Sequence, residues 1–248
     1  MNIDVSDLKK IYGRHFELRV PSLGIGAGET FGLVGNNGAG KTTFLRLLLD
    51  LIYADGGHVK FDGLPIAGRD DWKTGVGSYL DESFLLDFLT ADEFFEFTGG
   101  TYGYSRSETA AALEPFRSFF TDRIIGERTR YLRDLSVGNK KKVGLVAALF
   151  VRTRLLILDE PFANLDPGSQ MQLLKLLRKL NSERGTTMII SSHDLDHVTQ
   201  ACDRIAVLED GHIVSDLATS EETLPDLKRY FERRMDGESP PSSVLVSS

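Results

Sequence analysis

Eight consecutive residues, Gly35-Asn36-Asn37-Gly38-Ala39-Gly40-Lys41-Thr42, fit the pattern G-x-x-x-x-G-K-[ST]. Glycines at these positions let successive backbone N–H groups turn inward around phosphate oxygens, and the positive end of a following helix adds to the attraction for an anion. In such a loop Lys41 would bridge the β- and γ-phosphates of a nucleotide, and the Thr42 hydroxyl would bind Mg²⁺. Lys41 is expected to face solvent until the nucleotide arrives. The second chemical element is Leu155-Leu156-Ile157-Leu158-Asp159-Glu160, an apolar run that ends in two carboxylates. Phosphoryl transfer needs a metal ligand and a group that orients or deprotonates the attacking water. Asp159 suits the first role, acting through a water, and Glu160 the second.

The elements that must position these residues are readable around them. Phe31-Gly32-Leu33-Val34 is a buried strand leading into the glycine-rich loop, and Lys41 to about Tyr53 reads as a helix apolar nearly all round, hence buried on most sides. Alternation over His15 to Val20, and Val59-Lys60-Phe61 after Asp55-Gly56-Gly57, predict further strands. Thr90 with Glu93, and Ser105 with Glu108, are capping boxes, so residues 84–152 read as mostly helical, with a break at Pro115. Strand patterns return at 155–158, 187–190 and 205–208, and Asp166-Pro167 opens a helix carrying Leu173, Leu174, Leu177 and Leu180. Strand and helix alternation predicts an α/β fold with a mainly parallel core sheet, into which the mid-chain helices are inserted as a subdomain. Residues 236–248, polar and rich in Pro and Ser, are expected to be a disordered tail.

Composition narrows the function classes. A chain of 248 residues with net charge −7 can bury a real core, and whole-chain disorder is excluded. Its apolar runs are too short to span a bilayer and the first residues do not read as a secretory signal, so a cytoplasmic protein is expected. The single cysteine, Cys202, fits a reducing compartment. The acidic balance argues against a nucleic-acid surface, the only basic run being Lys140-Lys141-Lys142.

Leu135-Ser136-Val137-Gly138-Asn139 lies upstream of the Asp159 strand. With it, residues 1 to about 216 resemble the ATPase subunit of ATP-binding cassette (ABC) transporters, whose diagnostic segment there is Leu-Ser-Gly-Gly-Gln. The resemblance implies a P-loop nucleoside-triphosphatase fold with an antiparallel β-subdomain, in one domain over residues 1–235, with ATP and Mg²⁺ as cofactors. It implies that Gly35, Asn36, Asn37, Gly38, Ala39, Gly40, Lys41, Thr42 and Thr43 hold ATP. Ser136 and the Gly138 amide, flanked by the departures Val137 and Asn139, would cap the γ-phosphate held by the opposite subunit of a homodimer or heterodimer. His193 matches the switch histidine that hydrogen-bonds the γ-phosphate. Ala163-Asn164-Leu165-Asp166 looks like the loop between subunits, although Asp166 also suits a helix cap. Tyr12 sits where the family stacks an aromatic on adenine, the alternative being core packing. Glu82, in Tyr79-Leu80-Asp81-Glu82, takes the place of a glutamine that contacts Mg²⁺ and couples to the membrane partner. That loop and the altered signature resemble cassettes serving type-2 exporter permeases.

The leading expectation is an ATPase, peripheral on the inner face of the cell membrane, that drives a permease made of separate chains. A soluble cassette acting in translation or DNA maintenance is the alternative, disfavoured because those chains usually carry two cassettes or a long coiled coil. An unrelated GTPase or small-molecule kinase would not require His193 and Ser136 at these spacings.

Overall fold

The structure, a computed structural model, describes residues 1–120 and 124–235. The chain opens with β1 (Ile3–Tyr12), β2 (Phe16–Ile25), β3 (Thr30–Val34), α1 (Lys41–Leu48), β4 (Gly56–Phe61), β5 (Leu64–Pro65) and β6 (Val76–Tyr79). The middle holds α2 (Ala91–Thr101), α3 (Arg106–Leu113) and α4 (Val137–Leu149). The last part alternates β7 (Leu155–Asp159), α5 (Pro167–Arg184), β8 (Thr187–Ser192), α6 (Leu195–Ala201), β9 (Arg204–Glu209), β10 (His212–Ala218) and α7 (Thr223–Met235).

Strands β9, β3, β8, β7 and β6 lie side by side and parallel. Near-continuous Leu, Ile and Val runs are what a sheet covered on both faces requires. Successive residues accordingly feed opposite cores: Leu155, Ile157 and Ile189 pack with Phe44, Leu45 and Leu48 of α1, whereas Leu156, Leu158 and Ile190 pack with α4 and α5. Each such side chain, fully buried, contributes about 1.5–3 kcal/mol. The antiparallel strands β5-β4-β1-β2 continue this sheet rather than forming a separate one. A single parallel pairing, His212 with Arg19, joins them to β10, giving ten strands in order β5-β4-β1-β2-β10-β9-β3-β8-β7-β6.

Three expectations change. Helix α1 ends at Leu48, not near Tyr53. Asp50 adopts a left-handed conformation (φ 53°), and the Leu51 amide bonds back to the Arg46 carbonyl at 2.9 Å, closing the helix with a Schellman-type turn. The apolar run beyond it is surface, Tyr53 being 87% exposed. Both capping boxes form and start α2 and α3, but 124–131 carries no helix and 114–119 is a 3₁₀ turn with Pro115 near its start. Strands β1, β5, β6 and β10 and helices α6 and α7 have no counterpart among the elements expected from the sequence. The expected tail, 236–248, lies outside the described residues.

Candidate functional site

β3 delivers the chain to Gly35, where a Cβ atom would sit 2.2 Å from the Leu208 carbonyl oxygen of β9, so no side chain fits there. Gly40, at φ 110°, begins α1 without any side-chain cap, and no acidic residue occupies the first turn. The amides at the start of α1 are therefore not engaged by a capping side chain, which is the arrangement that receives an anion. Around them lies a cleft of about 270 Å³ lined by Phe16, Asn36, Gly38, Lys41, Asp159 and Glu160, among others.

The carboxylates arrive on β7, directly beside β8 and one strand from β3. Asp159 accepts a hydrogen bond from the Thr42 hydroxyl at 2.5 Å and another from the Ser191 hydroxyl. Glu160 follows in a left-handed conformation (φ 47°), its amide donating to Ser191 Oγ at 3.0 Å. Its carboxylate lies between two cationic or donor groups: Oε1 is 3.3 Å from Lys41 Nζ, and Oε2 is 2.8 Å from His193 Nδ1. A carboxylate only accepts, so His193 Nδ1 carries the proton in this contact. Although Oε1 stands near Lys41, it is buried and makes no hydrogen bond.

Lys41 does not face solvent as expected. It is 6% exposed, and its ammonium donates to the Gly35 carbonyl at 2.7 Å as well as approaching Glu160. A lysine at the mouth of a loop folds back when backbone carbonyls and a carboxylate offer it partners, and here both are within reach. Tyr12 is 45% exposed rather than packed in the core, its ring 6.3 Å from that of Phe16. Phe16 is the aromatic that lines the phosphate-loop cleft, and a Cβ on Gly40 would come within 2.8 Å of its ring. In the sequence Phe16 reads as a strand residue alone; the one signal of more is its place at the first position after a tight turn.

The remaining candidates do not line this cleft. Ser136 caps α4 by accepting from the Asn139 amide at 3.3 Å. Ser136 and Val137 are exposed, Gly138 is half-buried and Asn139 is buried. Asp166 caps α5, accepting from the Ser169 amide at 3.0 Å, and lies 3.6 Å from Lys142. Its bonds to Ser169, with the Lys142 charge nearby, pull its pKa down to about 2. Glu82 Oε1 accepts from the Tyr79 hydroxyl at 2.8 Å, and burial followed by that bond pushes the Tyr79 phenol up. Cys202 is a buried free thiol whose pKa burial raises.

Among the groups lining the cleft, the Thr42 hydroxyl and the Asp159 carboxylate form a hydrogen-bonded pair of oxygen ligands. Mg²⁺ is usually held by one or two carboxylates and by substrate phosphates, so this set suits it. Among the described residues no three His, Cys, Asp or Glu side chains converge into a self-sufficient metal cage.

A phosphate cradle at the start of a buried helix, with a carboxylate from the neighbouring strands bonded to its threonine, defines a P-loop nucleoside triphosphatase. The sequence matches the ABC transporter family over residues 18–163, more than half of the chain. It is 34% identical over 219 residues to an uncharacterized ABC transporter ATP-binding protein of Synechocystis sp., covering 86% of this chain and 61% of that protein. With the bacitracin transport ATP-binding protein BcrA of Enterococcus faecalis it shares 33% over 224 residues, 88% of this chain and 70% of BcrA. The dimeric post-hydrolysis structure of an ATP-binding cassette bound to ADP and phosphate superposes with a TM-score of 0.77 at 24% identity, covering 88% of this chain and 99% of that one. The chain therefore belongs to the ABC transporter family.

Proposed function

We propose that this chain binds ATP with Mg²⁺ and hydrolyses it to power transport through a separate membrane permease. The observation that carries this reading is the position of Glu160, whose carboxylate stands between Lys41 of the phosphate loop and His193 at the end of β8. A carboxylate held there orients and deprotonates a water for attack on the γ-phosphate. Lys41 would exchange its carbonyl and carboxylate partners for phosphate oxygens, and Thr42 and Asp159 would hold Mg²⁺, which neutralises charge developing on the phosphates. Gly35 to Gly40 and Thr43 contribute the surrounding amides and hydroxyl, and Tyr12, exposed on β1, is free to stack on adenine.

The exposed Ser136 and Val137 at the head of α4 are not part of the chain's own phosphate cleft. That placement supports their use on ATP held by a second cassette, identical or different, with Asp166 at the contact between the two. A mainly apolar cleft of about 430 Å³ beside Asp81, lined by Leu51, Trp72, Tyr79, Phe84 and Phe94, supports docking of the permease next to Glu82. Among the described residues no helix is long and apolar enough to cross a membrane. The likeness to BcrA, together with the Tyr79–Glu82 loop, supports a type-2 exporter as the partner and the inner face of the membrane as the place of action.

Lys41→Ala tests the nucleotide reading: it should abolish ATP turnover in the purified chain and weaken ATP binding at least 100-fold, as expected when about 3 kcal/mol of charge-assisted contacts are lost. Unchanged turnover would exclude phosphate-loop catalysis. Purification from native membranes in mild detergent should bring down a multi-span protein; recovery with ribosomes or DNA instead would favour the soluble-cassette reading.

A further inference from the structure

Lys141 is the one cation of the basic run Lys140-Lys141-Lys142 that reaches the carboxylate end of β7. It lies on α4, two residues past Asn139, and is 4% exposed. Its Nζ donates to the main-chain carbonyl of Glu160 at 2.7 Å and stands 5.6 Å from the centre of the Tyr79 ring. Burying an ammonium is costly unless nearby groups compensate it. Burial indeed lowers the Lys141 pKa, and the negative charges of Glu82, Glu160 and Asp159 act in the opposite sense.

What this lysine holds matters more than its own balance. Glu160 is not glycine, yet it sits at φ 47°, a conformation that costs energy and persists only where the surroundings over-determine it. Its amide is tied to Ser191 through Oγ and the carbonyl, at 3.0 and 3.2 Å. Its carbonyl is tied to Lys141 Nζ and to the Ala163 amide, the latter at 3.2 Å. Lys141 is the only one of these ties that comes from outside β7, its following turn and β8. It comes from the helix whose first turn carries the exposed Ser136 and Val137.

We infer that Lys141 is a positioning residue: its bond to the Glu160 carbonyl fixes the backbone twist that aims the Glu160 carboxylate between Lys41 and His193, and so links the head of α4 to the hydrolytic centre of the same chain. The inference rests on the hydrolytic reading of Glu160 given above. Without the ammonium the Glu160 carbonyl keeps only the longer Ala163 contact, and the turn relaxes toward ordinary backbone. Nucleotide binding is not weakened, because the contacts of Lys141 are to the Glu160 carbonyl and the Tyr79 ring and not to the phosphate loop, and a Lys41 released from Glu160 is freer to take phosphate.

The test is a comparison of wild type, Lys141→Met, Lys141→Arg and Glu160→Gln. For each, phosphate release gives kcat with Mg²⁺-ATP, equilibrium dialysis gives the dissociation constant of ATP in EDTA, and calorimetry gives the melting temperature. Methionine matches the length of the buried stem and needs no counter-charge, so a purely structural lysine would be replaced with little effect on turnover. The expected result is a kcat at least tenfold below wild type for Lys141→Met, ATP affinity no more than threefold weaker than wild type, and recovery to within fivefold of wild-type kcat for Lys141→Arg, which can still donate to the carbonyl. Should Lys141→Met melt too low to assay, Lys141→Leu, which likewise has no donor, carries the same expectation. A kcat within threefold of wild type for the Met or Leu variant, or a parallel loss of turnover and affinity, would overturn the inference. If Glu160→Gln is slow while Lys141→Met is fast, the inference alone falls; if Glu160→Gln turns over like wild type, the hydrolytic reading falls and takes the inference with it.

Discussion

Replacing Glu160 by glutamine should separate the two roles proposed for this carboxylate. As the group that activates water, it should account for roughly 10²–10⁴ in rate, the usual range for a positioned general base, which is about 3–5 kcal/mol of barrier. Glutamine keeps the shape and can still accept from His193, so the loss belongs to the charge and not to the geometry. As a partner of Lys41, the same carboxylate also competes with nucleotide. Lys41 is 6% exposed and Glu160 Oε1 lies 3.3 Å from it; with the charge gone, the ammonium keeps only the Gly35 and Asn36 carbonyls, at 2.7 and 3.4 Å. The nucleotide-free state is then disfavoured, and triphosphate binding should tighten by about 1–2 kcal/mol, or roughly 5–30-fold. Without nucleotide the variant should melt a few degrees lower, since about 1 kcal/mol corresponds to roughly 2–4 °C in a chain of this size. Phosphate release measures the first effect, equilibrium dialysis of ATP in EDTA the second and calorimetry the third. Turnover within threefold of wild type, together with an unchanged ATP affinity, would refute both roles.

Glu82→Gln should raise the Mg²⁺ concentration for half-maximal ATPase activity by roughly 3–10-fold, or about 0.7–1.4 kcal/mol, with slightly better ATP binding in EDTA; superimposable metal titrations would leave Glu82 no part in holding the ion. Gly144→Ala should lower stability by about 1–3 kcal/mol, because the new Cβ would lie 2.6 Å from Cε2 of the Tyr79 ring. The displaced ring would also strain the Tyr79–Glu82 hydrogen bond, and an unchanged melting curve would show that the ring has room to give. Asp166 has its pKa lowered to about 2, so its contribution is complete above the unfolded carboxyl value near 3.8 and is lost as pH falls through about 2. The melting-temperature gap between wild type and Asp166→Ala should therefore be constant from pH 5 to 7, narrow as pH falls below about 4 and be mostly lost by about pH 2; a gap undiminished at pH 2 would contradict the capping role.

The phosphate loop and the Asp159–Glu160 strand end were legible because their chemistry is written locally. A loop that must cradle phosphate needs glycines in sequence, and the strand and helix on either side show as unbroken apolar runs. The two capping boxes were legible for the same reason, each joining groups three residues apart. Elements whose existence depends on distant partners were not. Strand β1 contains Lys9, Lys10 and a left-handed Asp7, where its pairing with β4 slips register between Ser6 and Lys9. It is a strand because β2 and β4 pair with it, not because of its own pattern. Strand β6 is only Val76-Gly77-Ser78-Tyr79 and takes its register from β7. The sequence overstates the length of α1 because Leu51 and Tyr53 prolong an apolar run after the backbone has already turned at Asp50.

The same distinction explains Lys41. Sequence places it correctly in the loop but cannot show that it folds inward, because its partner Glu160 comes from a strand far along the chain. The pairing makes the site electrically self-contained: the residue proposed to grip phosphate and the residue proposed as the base lie 3.3 Å apart. In the proposed reaction triphosphate would draw Lys41 away and leave the Glu160 carboxylate to water. The other carboxylate oxygen is 2.8 Å from His193 Nδ1, a contact that does not depend on Lys41 and would keep Glu160 in place during that exchange.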